Sequence, residues 1–322
     1  MSKKRISKHA LLNLILGSVL VVVAIFGYFY IKKLSPVEVM TAAVPFQSLP
    51  EYEFAFPIYG GDTAFNNPYE VLAFDDEVYV SDRKNNRIAV YDRTGKFTRQ
   101  IVSEETYSPA GMCWDGTNLW VAVPEAKQVV MMNPDGVIID SFKMEKNTLP
   151  SDVAIDGGFM YVLNNIGMNV LKYDLNTREM VTSFGGSGVE EGKMYYPYGI
   201  AVREGNIYVA DSLNNRINIY DLEGNFVKKL PKLEEGAKGG GLYVPHGIAF
   251  DDDGRLYTVE GMAHQVTAIN DQGEIDLRVT KSETIEDQAQ DITLPTDVTF
   301  DEVGRMYVLE HAFKRVLVYK RK

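Results

Sequence analysis

Hydrophobic and polar positions alternate along most of this chain in short runs, each bounded by Gly, Pro, Asn or Asp, a pattern that predicts β-strands joined by tight turns. The pattern also repeats. A phrase opening on proline recurs at Pro68, Pro109, Pro150, Pro197, Pro245 and Pro295, in steps of 41, 41, 47, 48 and 50 residues. Pro197-Tyr-Gly-Ile-Ala-Val, Pro245-His-Gly-Ile-Ala-Phe, Pro295-Thr-Asp-Val-Thr-Phe and Pro150-Ser-Asp-Val-Ala-Ile share one grammar, with Pro68-Tyr-Glu-Val and Pro109-Ala-Gly-Met as looser copies. An acidic or Gly turn such as Asp251-Asp-Asp-Gly254 follows, then a second run carrying an aromatic at Tyr79, Trp120, Tyr161, Tyr208, Tyr257 or Tyr307. A polar turn leads to a third run, as in Arg87-Ile-Ala-Val-Tyr, Arg216-Ile-Asn-Ile-Tyr and Arg315-Val-Leu-Val-Tyr. A hairpin signal such as Asp221-Leu-Glu-Gly-Asn225 leads to a fourth.

Four strands per repeat make an antiparallel blade, and six repeats at this period predict an all-β fold, a six-bladed β-propeller. The recurring aromatics are expected to wedge between blades. The sixth copy ends at Lys322 after its third strand, so residues 53–58 are expected to supply the outer strand of the last blade, closing a propeller over 52–322 and protecting its edge.

The wording Pro197-Tyr-Gly-Ile-Ala-Val, Gly205-Asn-Ile-Tyr-Val-Ala-Asp211, Asn214-Asn-Arg-Ile-Asn-Ile-Tyr220 and Gly224-Asn-Phe resembles an NHL repeat, and Tyr79-Val-Ser-Asp-Arg-Lys-Asn-Asn-Arg-Ile resembles another. The resemblance covers residues 52–319 and implies an NHL-type propeller, a fold shared by scaffolds, nucleic-acid binders and a few metal-dependent lyases. The second and third repeats depart most. Val123 and Asn164 stand there in place of the usual Asp, and no Arg begins the third strand.

Ahead of the propeller, residues 10–31 form a 22-residue apolar run without a charge. As a helix it spans about 33 Å, enough for a bilayer core, and reads as an uncleaved signal anchor in contact with lipid. Lys3, Lys4, Arg5 and Lys8 precede it and only Lys32 and Lys33 follow closely. The positive-inside rule therefore predicts a cytoplasmic tail over 1–9, a stalk over 32–51 and a propeller outside, periplasmic or on the cell surface. A cleavable signal peptide, with Thr41 and Ala43 near its cleavage site, is the alternative.

Charge narrows the function. The chain carries 33 Lys and Arg against 44 Asp and Glu, a net charge of -11. Six of the basic residues lie in positions 1–33, which hold no acid, so the remainder has 27 basic against 44 acidic residues. Phosphate backbones need a basic footprint, so no nucleic-acid partner is expected. The single cysteine, Cys113, predicts an inert buried thiol and permits no internal disulfide.

In four-stranded blades, the fourth-to-first connections and second-to-third turns emerge on one face. The longest connections, 185–196, 231–244 and 279–294, all fall there and are expected to build a partner-binding surface. Tyr195, Tyr196, Tyr198, Tyr243 and His246 are its candidate contacts, since aromatic side chains carry apolar bodies with polar tips. The alternative is a metal-dependent lyase or hydrolase in which His246, His264, His311, Glu260 and Glu310 hold a zinc or calcium ion. Glu70, Asp152 and Asp297, two residues after their prolines, are expected to accept local backbone hydrogen bonds and complete turns, the alternative being a ring of carboxylates that binds a cation. Asp82 with Arg87 and Asp211 with Arg216 are expected to brace turns. With no nucleophilic triad and no phosphate-binding glycine loop, the leading expectation is a membrane-tethered propeller, without cofactor, that binds another membrane or extracytoplasmic protein.

Overall fold

The computed structural model describes residues 52–233, 241–279 and 291–322. The expected tail at 1–9, membrane helix at 10–31 and stalk at 32–51 lie outside the described residues, apart from which no helix is long and apolar enough to cross a membrane.

The strands fall into six four-stranded antiparallel sheets. Strand β1 (Tyr52–Ile58) comes first in the chain. Blade one holds β2 (Pro68–Phe74), β3 (Glu77–Asp82), β4 (Arg87–Asp92) and β5 (Phe97–Ile101). Blade two holds β6 (Met112–Trp114), β7 (Leu119–Val123), β8 (Gln128–Met132) and β9 (Ile138–Lys143). Blade three holds β10 (Pro150–Asp156), β11 (Phe159–Asn164), β12 (Asn169–Asp174) and β13 (Met180–Gly185). Blade four holds β14 (Pro197–Arg203), β15 (Asn206–Asp211), β16 (Arg216–Asp221) and β17 (Phe226–Leu230). Blade five holds β18 (Pro245–Phe250), β19 (Leu256–Glu260), β20 (Gln265–Ile269) and β21 (Ile275–Val279). Blade six holds β22 (Pro295–Phe300), β23 (Met306–Glu310) and β24 (Arg315–Arg321). Its outer place is taken by β1, which pairs antiparallel with β24 from Tyr52 opposite Arg321 to Ile58 opposite Val316. The two ends of the propeller are thus held by one sheet.

The apolar core sits between blades. One cluster joins blade one to blade two through Tyr79, Ile88, Met112, Leu119 and Val121, and another joins blade six to blade one through Tyr307, Leu309, Val71 and Val80. The aromatic second or third in each second strand is the wedge: Tyr79, Tyr161, Tyr257 and Tyr307 are fully buried, and Trp120 nearly so. Burying such a ring stabilises by a few kcal/mol, at about 25 cal/mol per Å2 over 150–250 Å2. Tyr208 is half-buried and meets Phe250 of blade five edge to face, with centroids 4.9 Å apart.

A second repeated device fixes the loops. The last residue of the second strand pairs in register with the first residue of the third, as Asp82 opposite Arg87, Asp211 opposite Arg216 and Glu310 opposite Arg315. Arg87 Nε donates to Asp82 at 2.9 Å, Arg216 Nε to Asp211 at 2.9 Å, and Arg315 Nε to Glu310. The other carboxylate oxygen accepts a backbone N–H just ahead of the repeat's own proline. Asn66 donates to Asp82 at 2.6 Å and Tyr195 to Asp211 at 2.6 Å, and Thr293 donates to Glu310. Each acid therefore ties the turn to the incoming connection.

Candidate functional site: the loop face and the axial channel

The first strand of each blade lines the axis, so the two residues after each proline meet at the mouth. Tyr69 of blade one and Tyr198 of blade four stack at 5.1 Å and 15°. His246 of blade five stacks on the other side of Tyr198, at 4.3 Å and 20°. The Arg83 guanidinium lies over Tyr69, 5.2 Å from its centroid. Burial holds the His246 imidazole neutral by lowering its pKa to about 4, opposed by a hydrogen bond to the Pro295 backbone. Burial, then nearby carboxylates, raises the phenol pKa of Tyr69. Burial likewise raises that of Tyr198. Three uncharged rings thus stack in a row at the mouth, with the Arg83 guanidinium over one end.

One residue further along sit Glu70, Asp152 and Asp297, with Gly111, Gly199 and Gly247 at the same position of the other blades. The acids bridge neighbouring blades. Met112 N donates to Glu70 at 2.6 Å, Ile200 N to Asp152 at 2.8 Å, and Val71 N to Asp297 at 2.8 Å. The expected local bond is also present at Asp152, where Val153 N donates to the second oxygen at 2.7 Å. The glycines leave room for this. A Cβ on Gly247 would stand 1.9 Å from Asp297 Oδ1, and one on Gly111 2.3 Å from Asp152 Oδ1. Burial pushes the Asp152 carboxyl up to about 7, opposed by the N–H groups of Ile200 and Val153 and by a hydrogen bond with Glu70. Burial, then the charge of Asp152, raises Glu70 well above its ordinary value. Burial also raises Asp297 well above its own. These groups border a channel cavity of ≈ 260 Å3 that runs down past Trp114, Val202 and Thr299. Cys113 lies on the same wall, where burial lifts its thiol to about 12 and leaves it unreactive.

The candidate metal ligands do not converge: among the described residues, no three His, Cys, Asp or Glu side chains are grouped to hold an ion. Glu260 is buried, accepting from Gln265 Nε2 at 2.7 Å, from the Thr267 hydroxyl, and from Tyr243 N at 2.6 Å. Glu310 is held by Arg315 and Thr293 N. Both do the work of Asp82 in their own blades. His264 Nδ1 accepts from Leu294 N at 3.0 Å, and His311 is an exposed rim residue with Nδ1 3.4 Å from Pro68 O.

The loop face around the mouth carries exposed apolar side chains at Ile166, Tyr195, Tyr196, Leu213, Met262 and Phe313, between 41% and 67% exposed. All lie in fourth-to-first connections or second-to-third turns. The turns of the opposite face expose only Val137 and Val303 among the described large apolar residues. Tyr195 and Tyr196 pack edge to face at 5.2 Å, and Leu213 N donates to Tyr195 O at 3.1 Å. Val244 N donates to Asn215 Oδ1 at 3.0 Å. Neighbouring loops are therefore fastened to one another. Tyr243 is half-buried in this rim, and Tyr198 belongs to the aromatic stack below it. Sequence reading missed Tyr69, Ile166, Leu213, Met262 and Phe313. Their positions in the repeat, one residue after a proline or within a second-to-third turn, are the signal that finds them.

The fold defines a six-bladed β-propeller with an aromatic stack at the mouth of its channel and an exposed apolar loop face. No protein-family model matches the chain. A stretch of 139 residues is 32% identical to Protein brain tumor of Drosophila melanogaster, covering 42% of this chain and 12% of that protein. Another of 137 residues is 32% identical to the B-box type zinc finger protein ncl-1 of Caenorhabditis elegans, covering 42% and 15%. This chain thus spans only a small part of the length of those relatives. Among solved structures, a streptogramin B lyase superposes with a TM-score of 0.61 at 13% identity, covering 86% of this chain and 100% of its own. A Bacteroides thetaiotaomicron protein of unknown function superposes with a TM-score of 0.64 at 14% identity, covering 84% and 76%. At such identities these structures share the fold alone. The six four-stranded blades are the propeller that the resemblance of the repeats implies.

Proposed function

We propose that this chain is a membrane-tethered, extracytoplasmic propeller that binds another membrane or extracytoplasmic protein through its loop face. The observation that carries the reading is the one-sided distribution of exposed apolar side chains, concentrated at Ile166, Tyr195, Tyr196, Leu213, Met262 and Phe313 on loops fastened by backbone hydrogen bonds. A pre-fastened face binds without ordering its loops, which lowers the entropic cost of association, and buried aromatic anchors dominate interface energetics. The similarity to Protein brain tumor and ncl-1 supports a protein-binding propeller module. The tether rests on residues 10–31 and the Lys and Arg imbalance around them.

Affinity purification from detergent-solubilised membranes tests the reading. Changing Tyr195, Tyr196 and Tyr243 together to Ala is expected to abolish recovery of the partner while leaving the melting transition in place. Recovery unchanged in this variant, with stoichiometric zinc or calcium lost in His246→Ala, would establish the metal-enzyme alternative instead. Protease added outside intact cells or spheroplasts is expected to digest the propeller; protection until lysis would reverse its orientation.

A further inference from the structure

The outer strand of a propeller blade presents a row of unpaired backbone N–H and C=O groups, and proteins guard such edges with charge or proline. Five blades here do so. Strand β1 carries Glu53 and Pro57, β5 carries Arg99, β9 carries Asp140 and Lys143, β17 carries Lys228 and Lys229, and β21 carries Asp276 and Arg278. Strand β13, Met180-Val-Thr-Ser-Phe-Gly185, carries neither. It exposes Met180 at 47% and Val181 at 53%.

The space beside this edge is shaped. A cleft of ≈ 320 Å3 between blades two and three is lined by Phe142, Lys143, Met144, Tyr173 and Arg178. Tyr173 is the register partner of Met180, so one side of β13 faces the cleft. Arg178 is neutralised by Asp140 at 2.5 Å, whereas Lys143 is exposed and makes no ion pair among the described residues. A row of main-chain donors and acceptors exchanges water for the matching row of another extended chain, and a cleft beside the edge selects alternate side chains of that chain. A second copy is opposed by a net charge of -11 on each chain, whereas an acidic residue on a partner segment complements Lys143.

We infer that β13 receives an extended segment of a partner protein as a fifth strand of blade three, seating an apolar side chain in the cleft against Phe142, Met144 and Tyr173 and an acidic side chain at Lys143. This site lies on the circumference, and its failure leaves the loop-face reading untouched.

The test uses the full chain in detergent and a fluorescein-labelled peptide, Ser-Glu-Val-Thr-Val-Thr-Val-Ser. In register, Thr182 and Ser183 occupy the places that Lys228 and Lys229 hold in β17, opposite Lys172 and Leu171 in one blade and Ile219 and Asn218 in the other. The variant Thr182→Lys with Ser183→Lys therefore gives blade three the edge protection of blade four. Saturable anisotropy is expected with the unaltered chain, at least tenfold weaker in the double variant, whose melting transition stays in place. Lys143→Glu is expected to weaken this peptide and to favour its counterpart with Lys in place of Glu. Absence of binding, or equal binding by the double variant, overturns the inference. A concentration-dependent dimer in sedimentation that the double variant breaks would assign the edge to a second copy and overturn it as well.

Discussion

Arg216 donates from Nε to Asp211 and from its terminal nitrogens to the carbonyls of Val189, Glu190 and Lys193, at 2.7 to 3.1 Å. One guanidinium thus carries both the turn of blade four and the connection that presents Tyr195 and Tyr196. Arg216→Ala leaves a fully buried Asp211 without its cation, an expected loss of about 3 to 5 kcal/mol in urea denaturation, with loosening of that connection seen as faster amide exchange. The axial acids give a second prediction. The folded pKa of Asp152, about 7, stands above its ordinary 3.8, so the stability it contributes is complete below about pH 4 and is lost as the pH rises through about 7. His246 acts oppositely: its pKa is lowered from 6.5 to about 4, so its contribution is present above 6.5 and lost as the pH falls. Between about pH 7 and 8, where His246 is largely neutral in both the folded and the unfolded chain, Asp152 therefore gives stability a downward slope. The melting temperature is expected to fall over that interval and to fall less in Asp152→Asn; a flat profile in the unaltered chain would contradict this.

At the scale of the strand, the proline phrase and its period made the blades legible, because each copy must build the same four strands with the same wedge. The brace was legible at Asp82 and Asp211, and its extension to Glu260 and Glu310 shows in the partner five residues on, Gln265 or Arg315, as Arg87 stands five after Asp82. Sequence spacing did not reveal the bonds of Glu70, Asp152 and Asp297, since each partner lies on the first strand of the next blade. Nor did it reveal the left-handed residues Tyr196, Val244 and Leu294 ahead of their prolines, at φ 51°, 51° and 47°. Side chains of this size rarely adopt that conformation, and no residue type announces it. The close approach of the first strands is itself testable. Gly247→Ala forces a methyl into Asp297, whose Cα is 2.7 Å from the added carbon, and is expected to cost about 1 to 3 kcal/mol or more. A melting transition within a degree of the unaltered chain would show that blades five and six can part without cost.

For the molecule as a whole, closure and binding are linked, because the loops form one face only while the ring is held. Removing residues 52–58 strips the outer strand from β24 and is expected to cause aggregation or loss of cooperative unfolding, read by light scattering and calorimetry. A soluble variant with an unchanged transition would place the stability of the ring elsewhere. The central claim, that a protein partner sits on the loop face, is tested most directly by a photo-crosslinking amino acid placed in cells at Met262 on that face or at Val303 on the opposite one, two side chains of similar exposure at 67% and 57%. The account predicts a discrete crosslinked protein from position 262 and none from position 303. Crosslinking from position 303 alone would contradict it.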